Sequence, residues 1–181
     1  MRDWHLTLLL APAFDERAHR SHESTGSAFA DVSSEVGRLF GEHTVLLPGM
    51  AALYLVGKAT HNPTVEHASS AAFKGWILGS AITGMLKLSF GRERPYEGLG
   101  PHAFHPFSGA NAFPSGHTTA AFAVATALDY SVEFRGSSTL FYGLASLTAA
   151  SRVYDGKHWV SDVVAGAVIG YLSGRWAATR D

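Results

Sequence analysis

The chain has 181 residues, with 14 Lys and Arg against 15 Asp and Glu and a pI near 6.8. That length suits one domain around a single core, here a lead over residues 1–27 followed by one helical domain over 28–181. Without Cys there is no disulfide, thiolate nucleophile or Cys-ligated metal, and charges of both signs are scattered without the basic stripe that would draw nucleic acid.

The first stretch, MRDWHLTLLLAPAFD, carries a short apolar run broken by His5 and Pro12, too short to span a bilayer. It reads as a flexible lead or a short surface helix rather than a targeting signal. Residues 28–40 place Phe29, Val32, Val36, Leu39 and Phe40 at helical spacing, with Asp31 and Glu35 opposite, which predicts an amphipathic helix. Apolar segments follow at 44–60, 65–90, 118–132, 138–154 and 159–178. None alternates with period two, and Ala and Leu outnumber the β-branched residues, so all five read as helices. The connectors HNPT at 61–64 and EFRGSS at 133–138 are short, which makes neighbours antiparallel and predicts an all-α bundle of about six helices. One separator is different: 91–116 is long and rich in Gly and Pro, the kind of loop that carries function.

In that bundle three charged clusters meet at one end. The first, KLSFGRERP, holds Lys87 and Arg94 seven residues apart, hence on one face if the helix continues through Gly91. Two cations aimed at one spot suit a phosphate; equally, cations are common at a helix C-terminus, where the dipole favours them. The second, AFPSGHTTAAF, opens a helix with Ser115 as its N-cap, and amides at such a start beside Gly116 form an anion site. His117 could donate a proton there, or be an ordinary surface His after a cap. The third, SRVYDGKHWVSD, sets His158 and Asp162 at i and i+4 and adds Arg152. A carboxylate so placed can accept the Nδ1 proton and leave Nε2 as a nucleophile; alone, the pair is also a common helix-surface contact. His102 and His105, flanked by Pro101 and Pro106, read as loop residues rather than metal ligands, with Phe104, Phe107 and Phe113 lining the entrance.

Eight such matches arising together by chance have a probability of order 10⁻¹⁰ per register. The three motifs resemble those of the type 2 phosphatidic acid phosphatase and vanadium haloperoxidase superfamily, complete and in the family order over 44–176. The resemblance implies the acid phosphatase/vanadium haloperoxidase-like helical fold and a phosphatase acting through a phosphohistidine. In it His158 attacks phosphorus, Asp162 orients its ring, and His117 protonates the leaving group and later activates water. Lys87, Arg94, Arg152, Ser115 and the Gly116 amide hold the phosphoryl oxygens, with no metal or other cofactor. Vanadate enters as an inhibitor or, in the alternative of a vanadate-dependent haloperoxidase, as a cofactor; known members of that branch are much longer chains. A soluble non-specific acid phosphatase and a non-catalytic phospholipid-binding bundle are the other readings.

Mean hydropathy is only +0.07, and Lys74 interrupts the longest apolar segment. Yet 136–151 is uncharged, and the segments are rich in the Gly, Ala and Ser that suit close helix packing. The end opposite the site carries Lys58, Arg135, Arg175 and Arg180, consistent with a cytoplasmic side. The expectation is a cell-envelope enzyme, membrane-embedded or membrane-attached with an outward-facing site in preference to a soluble extracytoplasmic one, whose partner is a phosphorylated lipid or a small phosphate ester.

Overall fold

A computed structural model describes Asp15, residues 28–132 and residues 134–180, the side chains of 28–31 excepted. Apart from Asp15, the expected lead lies outside the described residues. Among the described residues six full α-helices follow in order: α1 Ala28–Gly41, α2 His43–Ala59, α3 Pro63–Phe90, α4 Gly116–Ser131, α5 Ser137–Tyr154 and α6 Val160–Ala178. These bounds lie within two residues of those predicted by apolar patterning. A 3-10 turn at Pro95–Glu97 and a single bridge between Arg92 and Phe104 are the regular features within the long loop.

Local chemistry sets the ends. Asn62 caps α3 by accepting from the N–H groups of Thr64 and Val65, with Pro63 in the first turn, where its missing N–H costs nothing. Gly91 ends the same helix at φ 54, a left-handed conformation in which it donates back to the Lys87 carbonyl. Its hydrogen atom is essential there, because a Cβ would lie 1.8 Å from the His105 carbonyl oxygen. Between α1 and α2 the chain bends by 58° at Glu42.

The bundle packs around α4, which lies against α3, α5 and α6, while α1 rides on α5 and α2 on α3. Its interior is dominated by small side chains: Ala71, Ala72, Ala120, Ala121, Ala125 and Ala145 are all buried, with Leu46, Met50 and Val124 among the few larger ones. The α4–α6 seam is tightest. Gly166, Gly170 and Gly174 recur every fourth residue along α6, and a Cβ on each would come within 2.6, 2.4 and 2.3 Å of the carbonyl oxygens of Ser115, Thr119 and Ala123. Backbone therefore lies on backbone, as the small-xxx-small spacing allows. Many large apolar side chains point outward instead: Val164, Val168, Leu172 and Trp176 form an exposed stripe along α6, and Phe73, Ile77, Met85 and Leu88 another along α3. Among the described residues no single helix is long and apolar enough to cross a membrane, although α1 from Val32 and α2 together reach the required length and composition as a bent pair.

Because the seam has no room, Gly170→Ala should destabilise the fold by about 1–3 kcal/mol through overpacking. Gly143→Ala on α5, where nothing lies within 4 Å of the new Cβ, should be neutral or stabilising by about 0.5–1 kcal/mol. Thermal unfolding of the two variants beside the parent chain measures both.

Candidate active site

Gly91 breaks α3 before Arg94, so the two cations of the first motif do not share a helical face as the sequence suggested. They meet another way. After Pro95 starts the 3-10 turn, Arg94 reaches back so that Nε and Nη2 donate to Asn111 Oδ1 at 3.0 and 2.6 Å, while Lys87 Nζ donates to the Asn111 carbonyl. Asn111, on the far side of the loop, brings both charges to one point.

The second motif opens α4. Ser115 is its N-cap residue, fully buried. Its N–H donates to the Asp162 carbonyl at 3.0 Å, and its hydroxyl accepts from Thr118 Oγ1 rather than from the first helical amides. Gly116 follows with the Lys87 side chain alongside, Cε standing 3.9 Å from where a Cβ would be. His117 is half-buried, with Nε2 3.3 Å from Glu42 Oε2 and its ring tilted against His43 at 5.9 Å. His43 Nδ1 in turn accepts from the Trp76 indole at 3.1 Å. The hydrogen bond with His117 holds Glu42 below the usual carboxylate range.

The third motif lies at the end of α5 and the start of α6. Arg152 is buried, its Nη2 on Asp155 Oδ2 at 2.7 Å, and Asp155 is itself held by the Ser34 hydroxyl of α1 at 2.6 Å. The Arg152 carbonyl accepts from both Lys157 and His158, folding the chain back toward the site. His158 is buried, and its geometry departs from the expected pairing. Nδ1 lies 2.8 Å from the Ala112 carbonyl oxygen and 3.6 Å from Asp162 Oδ2. The reason is that α6 starts at Val160, so Asp162 sits in its first turn and spends Oδ2 on the Trp159 amide at 2.8 Å, while Oδ1 accepts from Arg92 Nη1 at 2.6 Å. A backbone carbonyl can only accept, so the ring proton resides on Nδ1 and the Nε2 lone pair is free. Burial pushes the His158 pKa down; Asp162 opposes this, while Lys87 and Arg94 add to it.

Most of the motif residues gather on two linked centres, while His117 pairs with Glu42 and Arg152 with Asp155. Lys87 and Arg94 meet at Asn111, with Gly116 beside Lys87, and the same short segment, through Ala112 and Ser115, touches His158 and Asp162. Sequence reasoning missed Arg92, Asp15, Asn111, Asp155, Glu42 and the Ala112 carbonyl. Phe104 and Phe113 pack edge-on against Phe90, whereas Phe107 is 80% exposed. Among the described residues no three His, Asp or Glu gather in a way that could hold a metal ion.

Residues 69–180 match the family model of the PAP2 superfamily. A protein of Porphyromonas gingivalis named lipid A 1-phosphatase is 42% identical over 103 residues, covering 54% of this chain and 21% of that protein. Another of the same name from Rhizobium etli is 31% identical over 155 residues, covering 75% of this chain and 66% of that protein. The chain therefore spans between a fifth and two thirds of these relatives. Its fold matches the crystal structure of a transmembrane PAP2 type phosphatidylglycerolphosphate phosphatase from Bacillus subtilis with a TM-score of 0.71 at 22% identity, covering 96% of this chain and 91% of that one.

If Lys87 and Arg94 form an anion cradle bridged by Asn111, a carboxylate in its place should compete with bound phosphate. Asn111→Asp should weaken inorganic phosphate binding by about tenfold, or ~1.4 kcal/mol, read by calorimetric titration of the full chain.

Proposed function

The chain belongs to the PAP2 superfamily, and on that premise we propose that it is a phosphatase hydrolysing lipid phosphate monoesters or diphosphates through a phosphohistidine. The observation that carries this reading is the buried His158, held through Nδ1 so that Nε2 is unprotonated, with the charges of Lys87 and Arg94 acting on it. The Nε2 lone pair attacks phosphorus as the bond to the leaving oxygen breaks, and His117 gives that oxygen its proton. Water then attacks the phosphohistidine and passes a proton to His117; the P–N bond breaks and phosphate leaves. Lys87, Arg94 and Arg152, with Ser115 and the Gly116 amide at the start of α4, hold the equatorial oxygens. Phosphoryl transfer needs in-line positioning and charge stabilisation above all, and three cations with a helix N-terminus supply both, so the proposed mechanism uses no metal.

The lipid substrate and a membrane location have support from the distribution of side chains. The interior is rich in Ala, Gly, Ser and Thr, and the outer stripes on α3 and α6 are large and apolar, the arrangement of a bundle whose helices pack through small residues and turn many of their large ones to acyl chains. Both curated relatives carry phosphatase names, the lipid A 1-phosphatases, so a sugar-linked lipid phosphate is the first substrate to try, and the haloperoxidase alternative gains nothing from them. Lys58, Arg175 and Arg180 lie at the end away from the site, which supports a site facing out of the cytoplasm in the cell envelope.

His158→Ala should abolish phosphate release from lipid A 1-phosphate, undecaprenyl diphosphate and phosphatidylglycerol phosphate in detergent micelles; turnover that survives the change would overturn the assignment. Because His158 attacks as the neutral ring and burial lowers its pKa from 6.5, the acid limb of kcat/KM should fall below pH 6.5, where an exposed His would already be charged. A pH profile on the best substrate of the panel measures this.

A further inference from the structure

Behind His158 lies a buried ionic cluster that the mechanism above does not use. Arg92 is 3% exposed, Asp15 2% and Asp162 not at all. The Arg92 guanidinium spans the two carboxylates, Nη1 to Asp162 Oδ1 at 2.6 Å and Nη2 to Asp15 Oδ2 at 2.9 Å. Its remaining donors go to the Pro101 carbonyl and the Ser161 hydroxyl, and its central carbon lies over the rings of Phe104 and Trp159 at 5.2 and 5.5 Å from their centroids. Asp15 also accepts from the Ser161 amide at 3.0 Å and the Ser161 hydroxyl at 2.6 Å, joining a residue near the start of the chain to the first turn of α6. Asp15 and His158 line the same small cavity, with Pro95, Val153, Trp159 and Val160.

One guanidinium set against two carboxylates leaves the cluster with one negative charge in excess. Buried charge of this kind is costly unless something compensates it. The compensating charge appears during the reaction. When His158 Nε2 bonds to phosphorus and the leaving oxygen departs with the His117 proton, the ring keeps its Nδ1 proton and becomes cationic. We propose that Asp15 and Arg92 are positioning residues, forming with Asp162 a buried cluster of net charge −1 that fixes the His158 ring and stabilises the positive charge it acquires on phosphorylation. The inference rests on the phosphohistidine reading above. Asp162 faces His158 from α6, and Lys87 at the end of α3 and Arg94 in the loop face it with the opposite effect. The second carboxylate offsets these cations, which the site keeps for the phosphoryl oxygens. A group fixed in advance at the place where charge develops needs no reorganisation at the moment of reaction.

The test is Asp15→Asn in the full chain in detergent, an isosteric change that brings the cluster to neutrality. Phosphate release from the best lipid phosphate should show kcat down about 10–100-fold with KM within about twofold. The His158 ring, followed by 15N NMR of His-labelled protein and assigned by loss of its signal in His158→Ala, should titrate about half a unit lower or more. Asp15→Glu, which restores the charge, should recover both readouts. Should Asp15→Asn not fold, Asp15→Ser, small enough to admit water, carries the same readouts. An unchanged kcat, or a loss of kcat with His158 titrating as before and no recovery in Asp15→Glu, overturns the proposal. If the parent chain hydrolyses none of the lipid phosphates, the proposed function fails, and the titration alone decides this inference: a downward shift sustains the electrostatic cluster and an unshifted curve removes it.

Discussion

A carboxylate with no exposed surface has to find all its hydrogen bonds inside the protein, and Asp162 finds them in three directions at once. One oxygen takes the Arg92 guanidinium, the other takes the Trp159 amide, and its own carbonyl receives the Ser115 amide from the start of α4. The long loop, α4 and α6 are thereby tied at a single point. Removing any of these donors would leave a buried lone pair unsatisfied, at about 1–3 kcal/mol each. His158 stands four residues before this point and His117 two residues after the cap, so the distances that matter for chemistry are inherited from that junction.

The junction can form because the helices behind it approach so closely. Glycines along α6 let its backbone lie against that of α4, and the Ala-rich interior does the same for α3 and α5. Cohesion here comes from many short contacts between small groups rather than from large interdigitating side chains. The large apolar residues left on the outside meet whatever surrounds the bundle.

Helix positions and motif residues were legible because they rest on local chemistry. Ser115 follows Pro114 and precedes Gly116 and an apolar run, a cap signal that needs no tertiary knowledge, and the apolar segments lacked any competing period. What was illegible depends on distant partners. Arg92 and Arg94 look alike in GRERP, and only the turn at Gly91 decides that the first goes into the protein and the second toward Asn111. Asp15 pairs with Ser161 across 146 positions, beyond any local pattern. The Ala112 carbonyl that orients His158 is a backbone group and has no signature in the residue name. Mean hydropathy was ambiguous for a related reason: buried Ser, Thr and Gly lower the average although they face inward.

The contact between Asn111 and the two cations has a bearing on selectivity. Lys87 and Arg94 are engaged by the backbone carbonyl and the side-chain amide oxygen of a single residue, Asn111. An anion entering between the two cations would exchange with these neutral dipoles. A doubly charged group would do so readily, since its attraction to each cation exceeds that of an uncharged acceptor, whereas an uncharged hydroxyl would not. A loop so arranged would discriminate by ionic charge before it discriminated by shape.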